Sequence, residues 1–251
     1  IDIMLIHAMR GVTDLPQQRP FRQPHHSASY AAMVGGGQPL MPGEVSLAHH
    51  GVLLLDEWPE FKPAVLNSLR EPLESGCVHL SRAGQAHTWP ACFMLVATCN
   101  PCPCGYLGQL RCQCTVGHIQ RYQQRISGPL WDRIDMVVDM QAEDDGWSVQ
   151  HDEGPSSVAV QSHVQQCYQR QWQRQRCNNA ALTAAQLSVS QLQADLRDAL
   201  QDASVRLGLS MRACHRVLKV ARTIADWSDV DHIQVAHIRE ALSFRCVPVQ
   251  P

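Results

Sequence analysis

Gly51-Val52-Leu53-Leu54-Leu55-Asp56-Glu57 is the stretch that decides the fold. An unbroken apolar run suits a parallel strand covered on both faces. Acids placed directly after it emerge at the carboxyl edge, where α/β sheets hold their ligands. The pattern is that of a Walker B strand. Phosphoryl transfer needs a divalent cation to neutralise charge on the phosphate oxygens and a group that orients the attacking water. Asp56 is the candidate for the Mg²⁺ shell and Glu57 for the water. On these seven residues alone, a buried strand ending in a solvated acidic turn stays open as the alternative.

A second apolar run, Phe93-Met94-Leu95-Val96-Ala97-Thr98, ends in Cys99-Asn100-Pro101. In a strand beside the first, Asn100 is placed to hydrogen-bond the attacking water or the γ-phosphate, the sensor 1 role. Asn before Pro is also an ordinary turn starter. Between the two runs, Cys77 to Ser81 and Gln85 to Trp89 alternate around Arg82-Ala83-Gly84, which predicts a β-hairpin. Downstream, Gly128-Pro129-Leu130-Trp131-Asp132-Arg133-Ile134-Asp135 sets Arg133 between acids, just ahead of an expected strand at Met136 to Val138. A structural ion pair is one reading of Arg133. Presentation to a neighbouring subunit's nucleotide is the other, a device worth roughly 10³–10⁵ in rate where it operates.

Cysteine is concentrated next to Asn100. Of 11 cysteines, Cys102-Pro103-Cys104 and Cys112-Gln113-Cys114 form two C-x-C pairs in one expected loop, as many thiolates as a tetrahedral structural Zn²⁺ requires. Reduced thiols in a flexible loop are the alternative. The odd total and the clustering fit a reducing compartment better than a disulfide framework, and the cytoplasm is the expected location. Arg111, Arg121 and Arg125 nearby suit either a phosphate backbone or a salt-bridged surface.

Composition divides the chain. Residues 1–140 mix short apolar runs with Gly/Pro punctuation and read as α/β, residues 141–155 as an acidic, Gly/Pro/Ser-bearing linker, and residues 156–251 as an all-helical domain. In the last, Met211, Cys214, Val217, Leu218, Ala221 and Ile224 recur at helical spacing, with Ser210 placed to cap the start. The net charge of −2 gives no whole-molecule reason to expect nucleic acid or acidic lipid. No stretch reaches the roughly 18 to 20 apolar residues of a spanning helix, so a membrane partner is not expected.

The ordered set of motifs resembles one family. Arg19-Pro20-Phe21-Arg22, Pro24-His25-His26-Ser27-Ala28-Ser29, Met33-Val34-Gly35-Gly36-Gly37 and Pro42-Gly43-Glu44 precede the Asp56-Glu57 strand. Leu69-Arg70-Glu71-Pro72-Leu73-Glu74-Ser75-Gly76, the Arg133 segment, Gly208-Leu209-Ser210-Met211-Arg212 and Val220-Ala221-Arg222-Thr223-Ile224-Ala225-Asp226 follow it. Together they are similar to the magnesium-chelatase-like AAA+ ATPases of the ComM/YifB family, over most of residues 5–246. The resemblance implies a P-loop-type parallel sheet followed by a small helical lid. It makes Asn100 sensor 1, Arg133 a trans-acting arginine finger and Arg212 the sensor 2 arginine that contacts nucleotide. It also implies a ring, expected as a hexamer, with the hairpin facing its pore and His79 and Arg82 as candidates for DNA contact.

One family element is missing: no Gly-x-x-x-x-Gly-Lys-Ser/Thr occurs in the 251 residues. That loop's N–H groups and Lys hold the β- and γ-phosphates, so this chain alone is expected to be inactive. Truncation upstream of Arg19 is the expected reason, a degenerate subunit the alternative. For the intact protein the resemblance implies ATP and Mg²⁺ as cofactors and DNA remodelling of the branch-migration type as the function. A chelatase motor driving metal insertion into a porphyrin, and a non-hydrolysing zinc-stabilised DNA-binding or scaffold subunit, are the rival readings.

Overall fold

The computed structural model describes residues 2–9, 18–82, 85–140, 154–187 and 193–245. They divide into two compact units, the first running to Arg133 and the second beginning at Ile134. The expected linker, residues 141–155, lies almost wholly outside the described residues.

In the first unit, β1 (Phe21–Arg22), β2 (Gly35–Gly36), β3 (Met41–Pro42), β4 (Val52–Leu55), β5 (Cys77–Arg82), β6 (Gln85–Pro90) and β7 (Met94–Ala97) alternate with helices. These are α1 (Asp2–Ala8), α2 (Tyr30–Val34), α3 (Glu44–Leu47), α4 (Pro63–Ser68), α5 (Pro72–Ser75), α6 (Val116–Gln123) and α7 (Gly128–Trp131). The central sheet is parallel, in the order β1-β4-β7. Leu55 of β4 pairs with Ala97 of β7, and Phe21 of β1 with Val52. Gly51 precedes β4 for a steric reason: a Cβ there would lie 1.9 Å from the Pro20 carbonyl oxygen. Only glycine lets β1 approach this closely.

Full coverage of β4 and β7 is not what the described residues show. Leu53 and Leu55 are wholly buried, and β4 alternates buried with half-buried positions. The opposite face, carrying Phe21, Val52, Leu54, Met94 and Val96, is open, with Phe21 60% and Met94 58% exposed. Among the described residues β7 pairs with β4 alone. Among the described residues it is an edge strand, and none of them covers that face.

The predicted hairpin is present: β5 and β6 pair antiparallel from Cys77↔Pro90 to Arg82↔Gln85. Its tip, Ala83-Gly84, and the Arg82 side chain lie outside the described residues. Gly35 and Gly36 form β2 and pair with β3, where a Cβ on Gly35 would meet the Met41 carbonyl oxygen at 2.5 Å.

The second unit packs α8 (Ser157–Gln175), α9 (Ala194–Leu207), α10 (Met211–Trp227) and α11 (Val235–Ser243). Leu196, Leu200, Cys214, Val217, Leu218, Ala221 and Ile238 share one core. Ser210 caps α10 as predicted, its hydroxyl accepting from the Ala213 N–H at 3.2 Å. Met211 is the exception to the apolar stripe, 62% exposed in the first turn. Met136 to Val138 form no strand; the Val137 N–H donates to the Phe244 carbonyl at 2.8 Å instead.

Beneath that core lies a polar hub. Asp226 accepts from Arg174 at 2.6 and 2.9 Å, from Asn179 Nδ2 at 2.8 Å and from Arg222 at 2.9 Å. Burial alone would raise its pKa. The hydrogen bonds from Arg174 and Asn179 and the charge of Arg222 more than offset that, leaving the carboxyl below its ordinary value.

Candidate active site

The carboxyl edge of the sheet is built by strand register. Because Leu55 pairs with Ala97, Asp56 and Thr98 leave adjacent strands at the same level. The Thr98 hydroxyl donates to Asp56 Oδ1 at 2.5 Å and accepts from the Glu57 N–H at 3.1 Å. The Trp58 N–H donates to the Thr98 carbonyl at 2.8 Å and the Thr98 N–H to the Leu55 carbonyl at 3.0 Å. One threonine thus fixes the backbone on both sides of the acid pair. Asp56 stays exposed with lone pairs to spare, the hard oxygen donor a Mg²⁺ ion takes.

Glu57 adopts a left-handed conformation, φ 51° and ψ 49°. Such a conformation costs a residue with a Cβ roughly 1–2 kcal/mol. It turns the chain directly into the 3₁₀ turn Trp58–Glu60 and leaves the Glu57 side chain exposed. Glu57 Oε2 lies 3.3 Å from His26 Nδ1, an ion pair when that histidine is protonated. The next turn is secured by Arg125, which pairs with Glu60 at 2.8 Å and donates to the Pro59 carbonyl at 3.2 Å.

Asn100 follows β7 on the same edge and is exposed. Behind it Tyr122 is buried, which pushes its phenol up to about 12; the Glu60 carboxylate and Cys99 add to the shift, and a backbone hydrogen bond from Asn100 acts against it. The four clustered cysteines follow Asn100, all their sulfur atoms within 4.8 Å of one another.

Arg133 is held within its own unit. Its guanidinium pairs with Glu74 and donates to the carbonyls of Arg70 at 3.1 Å and Pro129 at 2.5 Å. It lines a 660 Å³ cleft together with Tyr30, Asn67, Arg70, Glu71 and His79. Asp56, Glu57 and Asn100 are not in that lining, so cleft volume does not mark the acid pair. Arg212 is exposed in the first turn of α10, in the second unit.

Four residues have no individual role legible in the sequence. Thr98 was legible only as the end of a strand, although its register opposite Asp56 follows once β4 and β7 are paired. His26 belongs to the Pro24–Ser29 motif, and nothing in the sequence pairs it with Glu57. Arg22 and Glu44 belonged to separate motifs and form a bidentate pair at 2.6 and 2.9 Å. Hydrogen bonding to Glu44 raises the pKa of Arg22 despite partial burial.

A parallel sheet with an acid pair at its carboxyl edge, followed by a separate helical unit, defines an AAA+-like α/β protein. The chain belongs to the magnesium chelatase family: its subunit ChlI description matches residues 1–146 and the subunit ChlI C-terminal description residues 154–245. It is 47% identical over 233 residues to the YifB protein of Salmonella typhimurium and 46% identical to that of Escherichia coli. It is 43% identical over 235 residues to the competence protein ComM of Haemophilus influenzae. Each comparison covers 92% of this chain and 46% of the relative, so the chain spans about half the length of these relatives. No helix among the described residues is long and apolar enough to cross a membrane.

Proposed function

We propose that the intact protein is a Mg²⁺-dependent ATPase whose ring remodels DNA, and that Asp56, Glu57 and Asn100 belong to its hydrolytic site. The observation carrying this reading is the Asp56–Thr98–Glu57 arrangement on the carboxyl edge, with Asn100 beyond the neighbouring strand. Asp56 would help hold Mg²⁺, which neutralises charge on the phosphate oxygens when bound. Glu57 would orient the attacking water, and Asn100 would donate to that water or to the γ-phosphate. The edge of β7 and the apolar face, both uncovered among the described residues, suit a further strand and helix carrying the phosphate-binding loop in the intact protein.

Arg133 would act on the neighbouring subunit's nucleotide and Arg212 on its own. For Arg133 this requires exchanging its contacts with Glu74 and Arg70 for phosphate oxygens when the ring assembles. DNA as substrate rests on the similarity to ComM and on the β5–β6 hairpin. The chelatase reading draws on the family description itself, and a scaffold role is the remaining outcome. The test is ATP turnover by the intact protein with and without duplex or branched DNA. Stimulation by DNA supports remodelling, stimulation only by a protein partner supports a chelatase motor, and no turnover at all supports the scaffold.

A further inference from the structure

The connection between β7 and α6, residues 98–115, contains neither helix nor strand. Structureless connections longer than roughly 12–15 residues are uncommon in compact units and are usually either functional or disordered. Apolar packing does not hold this one: Tyr106 is 39%, Leu107 40% and Leu110 108% exposed. What turns inward is sulfur, with Cys102 fully buried. Two tight turns bring the thiols together, closed by the Gly105 N–H on the Cys102 carbonyl and the Cys112 N–H on the Gln109 carbonyl, each at 3.0 Å.

The sulfur spacing matches a coordination shell. Cys102 and Cys104 Sγ lie 3.4 Å apart, Cys104 and Cys112 3.6 Å, and Cys102 and Cys112 3.9 Å, with Cys114 inside the same cluster. A tetrahedron with metal–sulfur bonds of about 2.3 Å has edges of about 3.8 Å. Four thiolates form a soft donor set that rejects the hard Mg²⁺ proposed at Asp56 and suits Zn²⁺, Cu⁺ or iron–sulfur iron; a closed Cys₄ shell is a structural Zn²⁺ arrangement. We propose that Cys102, Cys104, Cys112 and Cys114 hold one structural Zn²⁺ that braces the connection carrying Asn100 out of the sheet.

The brace reaches Asn100 directly. A Cβ on Gly105, in the turn of the first cysteine pair, would lie 3.9 Å from Asn100 Cγ, so that turn stands against the Asn100 side chain. Gln123 of α6 donates to the Pro101 carbonyl at 3.3 Å and ties the other side. The metal site stands independently of the ATPase reading; only the importance of holding Asn100 rests on it.

The test uses the 251-residue chain purified without chelator. Elemental analysis should find about one Zn²⁺ per chain, retained in Cys92→Ser and lost in the Cys102→Ser/Cys112→Ser double variant. Because that variant could misfold, the unaltered chain supplies a second readout by thiol alkylation and peptide mapping. Cys102, Cys104, Cys112 and Cys114 should be protected as a set until a strong chelator is added, while the exposed Cys92 reacts in both conditions. Amide exchange across residues 98–115 should accelerate on chelation. Chains free of zinc with all four thiols reactive, or iron or copper in its place, would overturn the site. Bound zinc with unchanged exchange would overturn the brace.

Discussion

Thr98 donates its hydroxyl hydrogen to Asp56 at 2.5 Å and accepts the Glu57 N–H at 3.1 Å, so a single side chain orients the Asp56 carboxylate and anchors the Glu57 backbone. Thr98→Val keeps the shape and β-propensity but removes both bonds. Partners of a metal-bound carboxylate are typically worth 10–100-fold in affinity or activity. In the intact protein we expect Thr98→Val to weaken Mg²⁺-dependent ATP turnover by about 10–100-fold, with Thr98→Ser near the unaltered rate. Equal turnover in both variants would detach Thr98 from the site.

Strain at Glu57 predicts opposite effects on stability and function. Its left-handed backbone costs roughly 1–2 kcal/mol, and glycine returns about 0.4–1 kcal/mol of that as unfolded-chain entropy. Glu57→Gly should therefore leave the chain about 0.5–1 kcal/mol more stable by urea denaturation, while abolishing hydrolysis in the intact protein. A less stable Glu57→Gly chain would show that His26 and the local hydrogen bonds outweigh the strain.

Asp226 links the stability of the second unit to pH. Its folded pKa is lowered, so its contribution is fully present above the unfolded carboxyl value of roughly 3.9 and disappears as pH falls toward the folded value. Asp226→Asn leaves Arg174 and Arg222 without their shared counter-charge. Breaking a buried pair from one side typically costs about 3–5 kcal/mol. Denaturation at pH 7 should show a loss of that order, shrinking as the pH is lowered below about 4. An equal loss at both pH values would assign it to packing.

Arg133 and Glu74 separate fold from function. If Arg133 acts across a subunit boundary, assembled mixtures of Arg133→Ala and Glu57→Gln intact proteins should regain turnover that neither shows alone, because some interfaces reunite both groups. Arg212→Ala mixed with Glu57→Gln should regain none. Inactive but assembled Arg133→Ala mixtures would leave Arg133 as the partner of Glu74.

Short-range features were the legible ones. The apolar run into Asp56-Glu57, the β5–β6 alternation, the Ser210 cap and the C-x-C pairs each rest on residues a few positions apart. Coverage of β4 and β7 was not legible, because a buried strand and an edge strand can carry the same apolar run. Arg222 and Asp226 stand at i,i+4 spacing, but the hub around them was not legible because Arg174 lies 52 residues away and no local pattern links it to Asp226. Met136 to Val138 has strand composition yet, among the described residues, one backbone partner, Phe244, near the end of the second unit.

Glu57→Gln in the intact protein tests the central claim most directly, because it preserves size and hydrogen bonding and removes only the charge that orients water. Nucleotide affinity and steady-state ATP turnover are measured on the same preparation. Retained ATP binding with turnover reduced by two or more orders of magnitude, roughly 3 kcal/mol of transition-state stabilisation, is the expected result. Turnover equal to that of the unaltered protein would contradict the assignment of hydrolysis to the Asp56–Glu57 edge.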